Sequence, residues 1–488
     1  MLSTTLFTRW LRTRLVMVLA SLDCLSATLA SNYTINILLI RFINKMKRIF
    51  FFIFVLALFV ACAEDDSFSA SSGLRIEFPA DTIKLDTVFS RTSSSTYSFW
   101  VHNRNNDGVR MTSVYLKRGN QTGFRVNVDG IYLDNSNGSQ TNGIEIRQKD
   151  SILVFVEITP YETYRNEPES ITDNLVFSME SGVEQSVCLQ AWAWDAVKMY
   201  SPVIEKDSVI ESDKPLLVYG DFVVNEGVKL TIRNTTLYFH DGAGLDVRGT
   251  LYTDNCIMRG DRLDRMFTYL PYDRLSGQWR GIRFYESSDG NILNNTQIRN
   301  ACQGVVCDSA AFDSENYRLQ LYQCVVHNSQ GDGIGLTNAH ARLEYCQLSN
   351  SMGNCLAING GMVEIVNCTL AQFYPFVGGR GAALYFSNQY APLYNVICSG
   401  SILTGYDDDV VMGYMTSGEQ EFNYSFDNCL LRTPAVEDEP QHFSNIIWES
   451  PNDSIKGKDN FIKVDEDNLD YDFHLDSLSR AVGLGCYR

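Results

Sequence analysis

Between Arg259 and Arg280 the chain reads Arg259-Gly260-Asp261-Arg262-Leu263-Asp264-Arg265, then Tyr269, Pro271-Tyr272-Asp273-Arg274 and Gly277-Gln278-Trp279-Arg280. Guanidinium and carboxylate groups can bond sugar hydroxyls, and Tyr and Trp rings can stack on sugar faces. Arg262, Asp264, Arg265, Tyr272, Asp273, Trp279 and Arg280 therefore form the candidate ligand-binding set. The plainer alternative is a structural plug, in which Arg–Asp pairs tie this excursion to the stack. The Arg-Gly-Asp triplet is read as coincidence.

A dense acidic cluster, Asp407-Asp408-Asp409, supplies the candidates for catalysis. Inverting glycosidases hold two carboxyls about 6.5 to 9.5 Å apart, and Ca2+ takes several carboxylate oxygens. These three residues could serve either end, or simply form a solvated corner loop. The Asn-Thr-Asp, Gly-His-Gly and Arg-Ile-Lys segments of a polygalacturonase do not accompany them. Polysaccharide lyases use Lys or Arg as base: lysine is absent between residues 230 and 455, while arginine is available in the 259–280 excursion. No CxxC pair occurs, and the six histidines show no zinc-ligand spacing with cysteine, so no metal site is expected. Binding is favoured over catalysis.

These residues must be held by some scaffold, and a repeat identifies it. Cys324, Cys346 and Cys368 recur at a step of 22, and Leu336 and Ile358 keep the same step in a second ladder. Looser copies stand at Asn255-Cys256-Ile257, Asn295-Thr296-Gln297-Ile298, Asn428-Cys429-Leu430-Leu431 and Asn445-Ile446-Ile447. Short β runs with Gly or Asn at corners and a period near 22 match one coil of a right-handed parallel β-helix. A leucine-rich repeat has a similar period, but no regular Leu framework recurs. Stacked coils place equivalent side chains about 4.8 Å apart, so the ladder cysteines are expected inside as reduced thiols packing like small hydrophobes. The excursion at 259–280 breaks the rhythm, as an inserted loop does.

Ahead of the repeat, residues 74–197 alternate in the manner of half-buried strands, as in Tyr97, Phe99, Val101 and in Ile152, Val154, Val156, Ile158. Similar runs at Arg75–Phe78, Val114–Lys117, Phe124–Val128, Leu175–Met179 and Ser186–Ala191 bring the expected total to about seven strands, the count of an Ig-like β-sandwich. Its single cysteine, Cys188, permits no disulfide within the domain. Residues 198–215, charged and without alternation, are expected to be a linker, with the β-helix running from 216 to 488.

Charge and targeting complete the reading. Residues 1–61 hold seven Lys/Arg against Asp23 alone, and the remainder carries 33 basic against 57 acidic residues. So acidic a body repels phosphate backbones, which excludes nucleic acid as a partner. Met46-Lys47-Arg48 followed by the 13-residue apolar run Ile49–Ala61 has the layout of a signal peptide and is too short for a span of about 20 residues. Residues 1–45 precede this complete signal and are read as an extension from an early start codon. Phe59-Val60-Ala61-Cys62 resembles the bacterial lipobox, with Phe departing from the usual Leu, and implies a lipidated Cys62. Ala63-Glu64-Asp65-Asp66 resembles the surface-export signal of Bacteroidetes lipoproteins, within an acidic, Ser-rich tether at 62–73.

Asp86-Thr87-Val88-Phe89, Asn103-Arg104-Asn105-Asn106 and the 124–130 segment resemble the sandwich domains of Bacteroidetes surface lipoproteins. Asp470–Leu475 with Ala481–Gly485 resembles the closing segment of many β-helices. Taken in order, these features resemble the Bacteroidetes surface lipoproteins with an N-terminal Ig-like domain and a right-handed parallel β-helix. The resemblance implies an outer-membrane lipid anchor facing the cell exterior and an all-β chain that binds glycan through the β-helix. A β-helix polysaccharide lyase or glycoside hydrolase is the alternative. The expected partners are the membrane and a polysaccharide, with Ca2+ the one cofactor entertained.

Overall fold

A computed structural model describes residues 45–46, 67–265, 271–416, 418 and 420–485. Cys62, the signal segment and Tyr269 lie outside these residues.

Two sheets form the N-terminal unit. Thr82–Phe89 pairs in parallel with Glu184–Trp194, which continues antiparallel through Glu169–Met179 to Val109–Leu116. The second sheet joins Tyr97–His102, Ser151–Ile158 and Phe124–Val128, all antiparallel. Alternation sends Phe99, Val101, Val154 and Val156 from one sheet, and Val114, Leu175, Phe177 and Leu189 from the other, into one buried cluster. The run expected as a strand at Arg75–Phe78 makes only an isolated bridge, Glu77 to His102. Pro79 follows it without an N–H to extend pairing, and the ladder forms instead at Thr82–Phe89.

Beyond it, 25 hydrogen-bonded strands among the described residues build a parallel β-helix. It begins earlier than the sequence suggests. Val197–Tyr200 stacks on Leu216–Tyr219, Val203–Ile204 on Val223–Val224, and Ser208–Glu211 on Leu230–Arg233. Residues 198–215 are thus the first coil and not a linker. Glu205, Lys206, Asp207, Asp213 and Lys214 lie in the turns between the strands, while Met199, Ile204 and Ile210 pack against the core.

One inward column runs from Leu216 through Leu237, Met258, Ile298, Val326, Leu348, Leu370, Leu403 and Leu431 to Trp448. Leu336 and Ile358 are register partners, as the second ladder requires. The final strands do not stack as a further coil. Phe461–Asp465 and Asp470–Leu475 form an antiparallel hairpin. Its Phe461 and Phe473 lie with Ala371, Phe373, Ile402 and Leu430 in a satellite core on the flank of the coils.

The cysteine ladder has a physical cause beyond apolar packing. Each member follows a residue in the left-handed region: Asn255 before Cys256, Gln323 before Cys324, Tyr345 before Cys346, Asn367 before Cys368 and Asn428 before Cys429. Such a kink interrupts the ladder and turns the next N–H inward, where a buried donor needs an acceptor. The following coil supplies one. The Cys346 N–H donates to Cys368 Sγ at 3.4 Å, and the Cys368 N–H donates to Ser401 Oγ at 2.9 Å. Cys368 Sγ in turn donates to the Leu343 carbonyl at 3.5 Å. The column asks for a small side chain that both donates and accepts, which explains Ser401 and Thr296 standing where Cys stands elsewhere. Cys368→Val, similar in volume, is expected to strand the Cys346 N–H and cost about 1–3 kcal/mol, whereas Cys368→Ser keeps the bond and costs less. Urea unfolding of both variants decides; Val equal to or better than Ser would return the column to plain hydrophobic packing.

Candidate functional site

The excursion leaves the stack after the strand Thr250–Gly260 and rejoins it at Ile282–Phe284, which pairs with Leu245–Val247. The structure separates its candidate residues into three places. Arg262 and Asp264 face the sandwich: both guanidinium contacts to the carboxylate are 2.9 Å, and Ser95 Oγ donates to Asp264 at 2.9 Å. The Arg265 backbone N–H donates to Asp86 at 2.7 Å. Beside them, Phe89, Leu217 and Tyr238 form a small buried cluster joining sandwich to β-helix. This part of the excursion is a staple between the two units, with its Arg–Asp pair turned to the sandwich and not to the stack.

Trp279 does not offer a sugar platform. Trp279 is 0 % exposed, stacks on Phe239 with ring centroids 4.3 Å apart, and donates Nε1–H to the Arg299 carbonyl at 2.8 Å. It is a core residue because the chain has already re-entered the stack, with Trp279 bridging to Ala301. Tyr272 has one ring face covered by the Arg262 guanidinium at 3.8 Å. Arg280 is turned elsewhere, to Asp221 at 2.6 Å and Asp246 at 3.2 Å.

The acidic cluster is drawn to Arg432, which donates to the Asp407 carbonyl and to Asp408 Oδ1, both at 2.7 Å, while Thr433 donates to Asp409. Among the described residues, no group of three or more His, Cys, Asp or Glu is arranged to hold a metal ion.

Arg265 and Asp273 remain, and they open onto a polar cavity of about 200 Å3. Its walls come from four distant segments: Arg259, Arg265, Asp273 and Arg274 of the excursion; Arg299, Asn300, His327, Asn328 and Gln347 on consecutive coils; Pro375 and Phe376; and Asp470, Tyr471 and Phe473 of the C-terminal hairpin. Asp273 is buried. Its Oδ2 accepts from Arg265 Nε at 2.5 Å, whereas Oδ1 has no hydrogen-bond partner. Its carbonyl accepts from Arg259 Nη2 at 2.9 Å and Asn300 Nδ2 at 2.8 Å. Asn328 Nδ2 donates to Asn300 Oδ1 at 2.8 Å and to the Arg274 carbonyl at 2.6 Å, so an amide ladder pins the excursion to the coils. Tyr471 lies 5.4 Å from the His327 ring and stacks on Phe473 at 5.8 Å.

Burial, with Arg299 adding positive charge nearby, pushes His327 down to about 3. The ring is therefore neutral, sharing a hydrogen bond between Nδ1 and Ser349 Oγ at 2.8 Å. An unfolded histidine titrates near 6.5, so between pH 6.5 and 3 the unfolded chain takes up a proton that the folded chain refuses. Stability supplied by the neutral ring is complete above pH 6.5 and is lost as pH falls, at no more than about 1.4 kcal/mol per pH unit. His327→Gln should flatten urea-unfolding free energy between pH 6.5 and 4 relative to the parent; parallel curves would refute the assignment.

Sequence reasoning misses Arg274, Arg299, His327 and Tyr471 as wall residues. A usable signal exists for two of them: Arg299, His327 and Ser349 share one register position, immediately after the inward column residue.

A flank cavity on a long stack of parallel coils defines a β-helix protein with a polar recess at an inserted loop. The family comparison agrees on the fold. Residues 218–370 match the family model for the right handed beta helix region, so the coils are those of a right-handed parallel β-helix. No curated protein matches. Among solved structures, the catalytic unit of a thermostable GH87 α-1,3-glucanase from Streptomyces thermodiastaticus strain HF3-3 is 9% identical, with 72% of this chain and 89% of that chain covered and a TM-score of 0.27. Dex49A from Penicillium minioluteum is 8% identical over 74% of this chain and 82% of that one, TM-score 0.21. The ASH / PapD-like domain 7 of human CEP192 is 10% identical over 27% of this chain and 90% of that one, TM-score 0.17.

Proposed function

We propose that the chain is a lipid-anchored surface protein that binds glycan, without cleaving it, in the cavity between the excursion and the C-terminal hairpin. One observation carries this reading: a small concave site where a carboxylate, guanidinium groups, amides and aromatic rings converge. Few precisely placed polar groups beside aromatic side chains are what orient a polyhydroxylated ligand. The signal layout and Cys62 support the anchor, and the sandwich would hold the β-helix away from the membrane.

The test is a glycan panel applied to the full chain and read twice, for retention and for new reducing ends or unsaturated products. Retention without products is expected, weakened about tenfold by Asp273→Asn, since a hydrogen bond to a charged group contributes about 1.5–3 kcal/mol. Product formation would replace binding by catalysis. Mass spectrometry of the detergent-extracted N-terminus tests the anchor separately: an unmodified Cys62 removes it.

A further inference from the structure

The charge of the cavity runs against that of the molecule. The chain carries 58 acidic and 40 basic residues, yet the wall brings Arg259, Arg265, Arg274 and Arg299 against only Asp273 and Asp470. Asp470 is already paired with Lys463 at 2.6 Å.

The four guanidinium groups are not equally committed. Arg259 is spent on structure, donating to the carbonyls of Arg262 at 3.0 Å and Asp273 at 2.9 Å. Arg265 gives Nε to Asp273, and its side chain is 58% exposed. Arg274 gives one Nη to the Asn468 carbonyl. Arg299 is exposed on the strand Asn291–Arg299. Each guanidinium has five donors in a planar fork that matches an oxyanion, so Arg265 and Arg274 keep donors beyond the bonds just given.

Asp273 adds a contrary requirement. Its Oδ1 is a buried carboxylate oxygen without a donor, and a buried acceptor left unpaired is costly. A bare inorganic anion brings no hydrogen for it and no ring to lie against exposed Phe376. A ligand that joins an oxyanion to a neighbouring ring hydroxyl answers both the guanidinium groups and Asp273.

We infer that the cavity selects the charged residue of an acidic glycan, with a uronate carboxylate or a sulfate ester held by Arg265, Arg274 and Arg299 and an adjacent hydroxyl donated to Asp273. This rests on the glycan-binding reading above and adds the class of sugar.

Monosaccharides match the size of the cavity and make the test independent of linkage. Saturation-transfer NMR titrations on the full chain compare glucose and galactose with glucuronate, galacturonate, the two sugar 6-sulfates and inorganic sulfate, at low and physiological salt. At least one acidic sugar is expected to bind about tenfold more tightly than its neutral parent, with an advantage that shrinks as salt rises. Uronate against 6-sulfate identifies which oxyanion is preferred. Arg274→Gln should bring acidic-sugar affinity down to that of the neutral parent measured on the same variant; should it unfold the protein, exposed Arg299→Gln serves instead. Neutral and acidic sugars binding equally would overturn the charge selection and leave glycan binding standing. Inorganic sulfate binding as tightly as the sugar sulfates would overturn the role of the ring and of Asp273. No binding by any sugar would overturn both readings.

Discussion

Trp279→Ala is expected to destabilise the β-helix by about 3–5 kcal/mol, the usual cost of deleting a fully buried large aromatic. The ring is stacked on Phe239 inside the coil, and its indole N–H satisfies the Arg299 carbonyl. Alanine removes both and leaves a cavity beside the strand that forms one wall of the polar recess. Trp279→Phe separates the two effects: it restores most of the packing and strands only the carbonyl, for about 1–3 kcal/mol. Urea unfolding midpoints with an unchanged m-value measure each step. A Trp279→Ala protein that keeps its midpoint while losing glycan retention would return this ring to the ligand. Under the structure described, any loss of retention follows the loss of fold.

The same residue shows where the sequence is legible and where it is silent. The 22-residue step can be read directly because parallel stacking demands like residues at like phase, so Cys324, Cys346 and Cys368 announce their own register. An insertion has no phase. Within 259–280, aromatic and charged residues look alike whether they face a ligand, a neighbouring domain or the core. A marker of re-entry does exist. Gly281 has φ +101°, and a Cβ there would sit 1.6 Å from the Gln303 carbonyl oxygen, a backbone approach only glycine allows. Trp279, two residues earlier, is therefore already against the next coil. The opening coil at 198–215 was hidden for a related reason: its strands are two to four residues long, so alternation has no length over which to appear. The recess is hidden more deeply, since residues 259–274, 299–347, 375–376 and 469–473 meet only through the number of coils between them and the fold-back of the C-terminal hairpin.

Arg432→Ala is expected to cost about 3–5 kcal/mol, and it explains the acidic triplet that sequence alone offers as a catalytic candidate. Arg432 is 6% exposed and Glu449 2%, with Nη1 and Oε2 3.4 Å apart. Removing one partner of a buried pair leaves the other charge uncompensated, the costly way to break it. Glu449 is saturated besides: Oε1 accepts from the Gly457 N–H and from Asn460 Nδ2, and Oε2 from Thr404 Oγ1. Through this network the guanidinium joins the 407–409 loop to the chain leading into the C-terminal hairpin. Asp408 contributes one carboxylate from the surface, 62% exposed, where an ion pair contributes at most about 1 kcal/mol. Asp408→Asn should therefore leave the unfolding free energy within about 1 kcal/mol of the parent, several-fold less than Arg432→Ala or Glu449→Ala. Equal losses for Asp408→Asn and Arg432→Ala would show that the triplet is the anchor and the buried pair incidental; a glycan-cleaving activity that dies with Asp408→Asn alone would make it the catalytic acid that its composition first suggests.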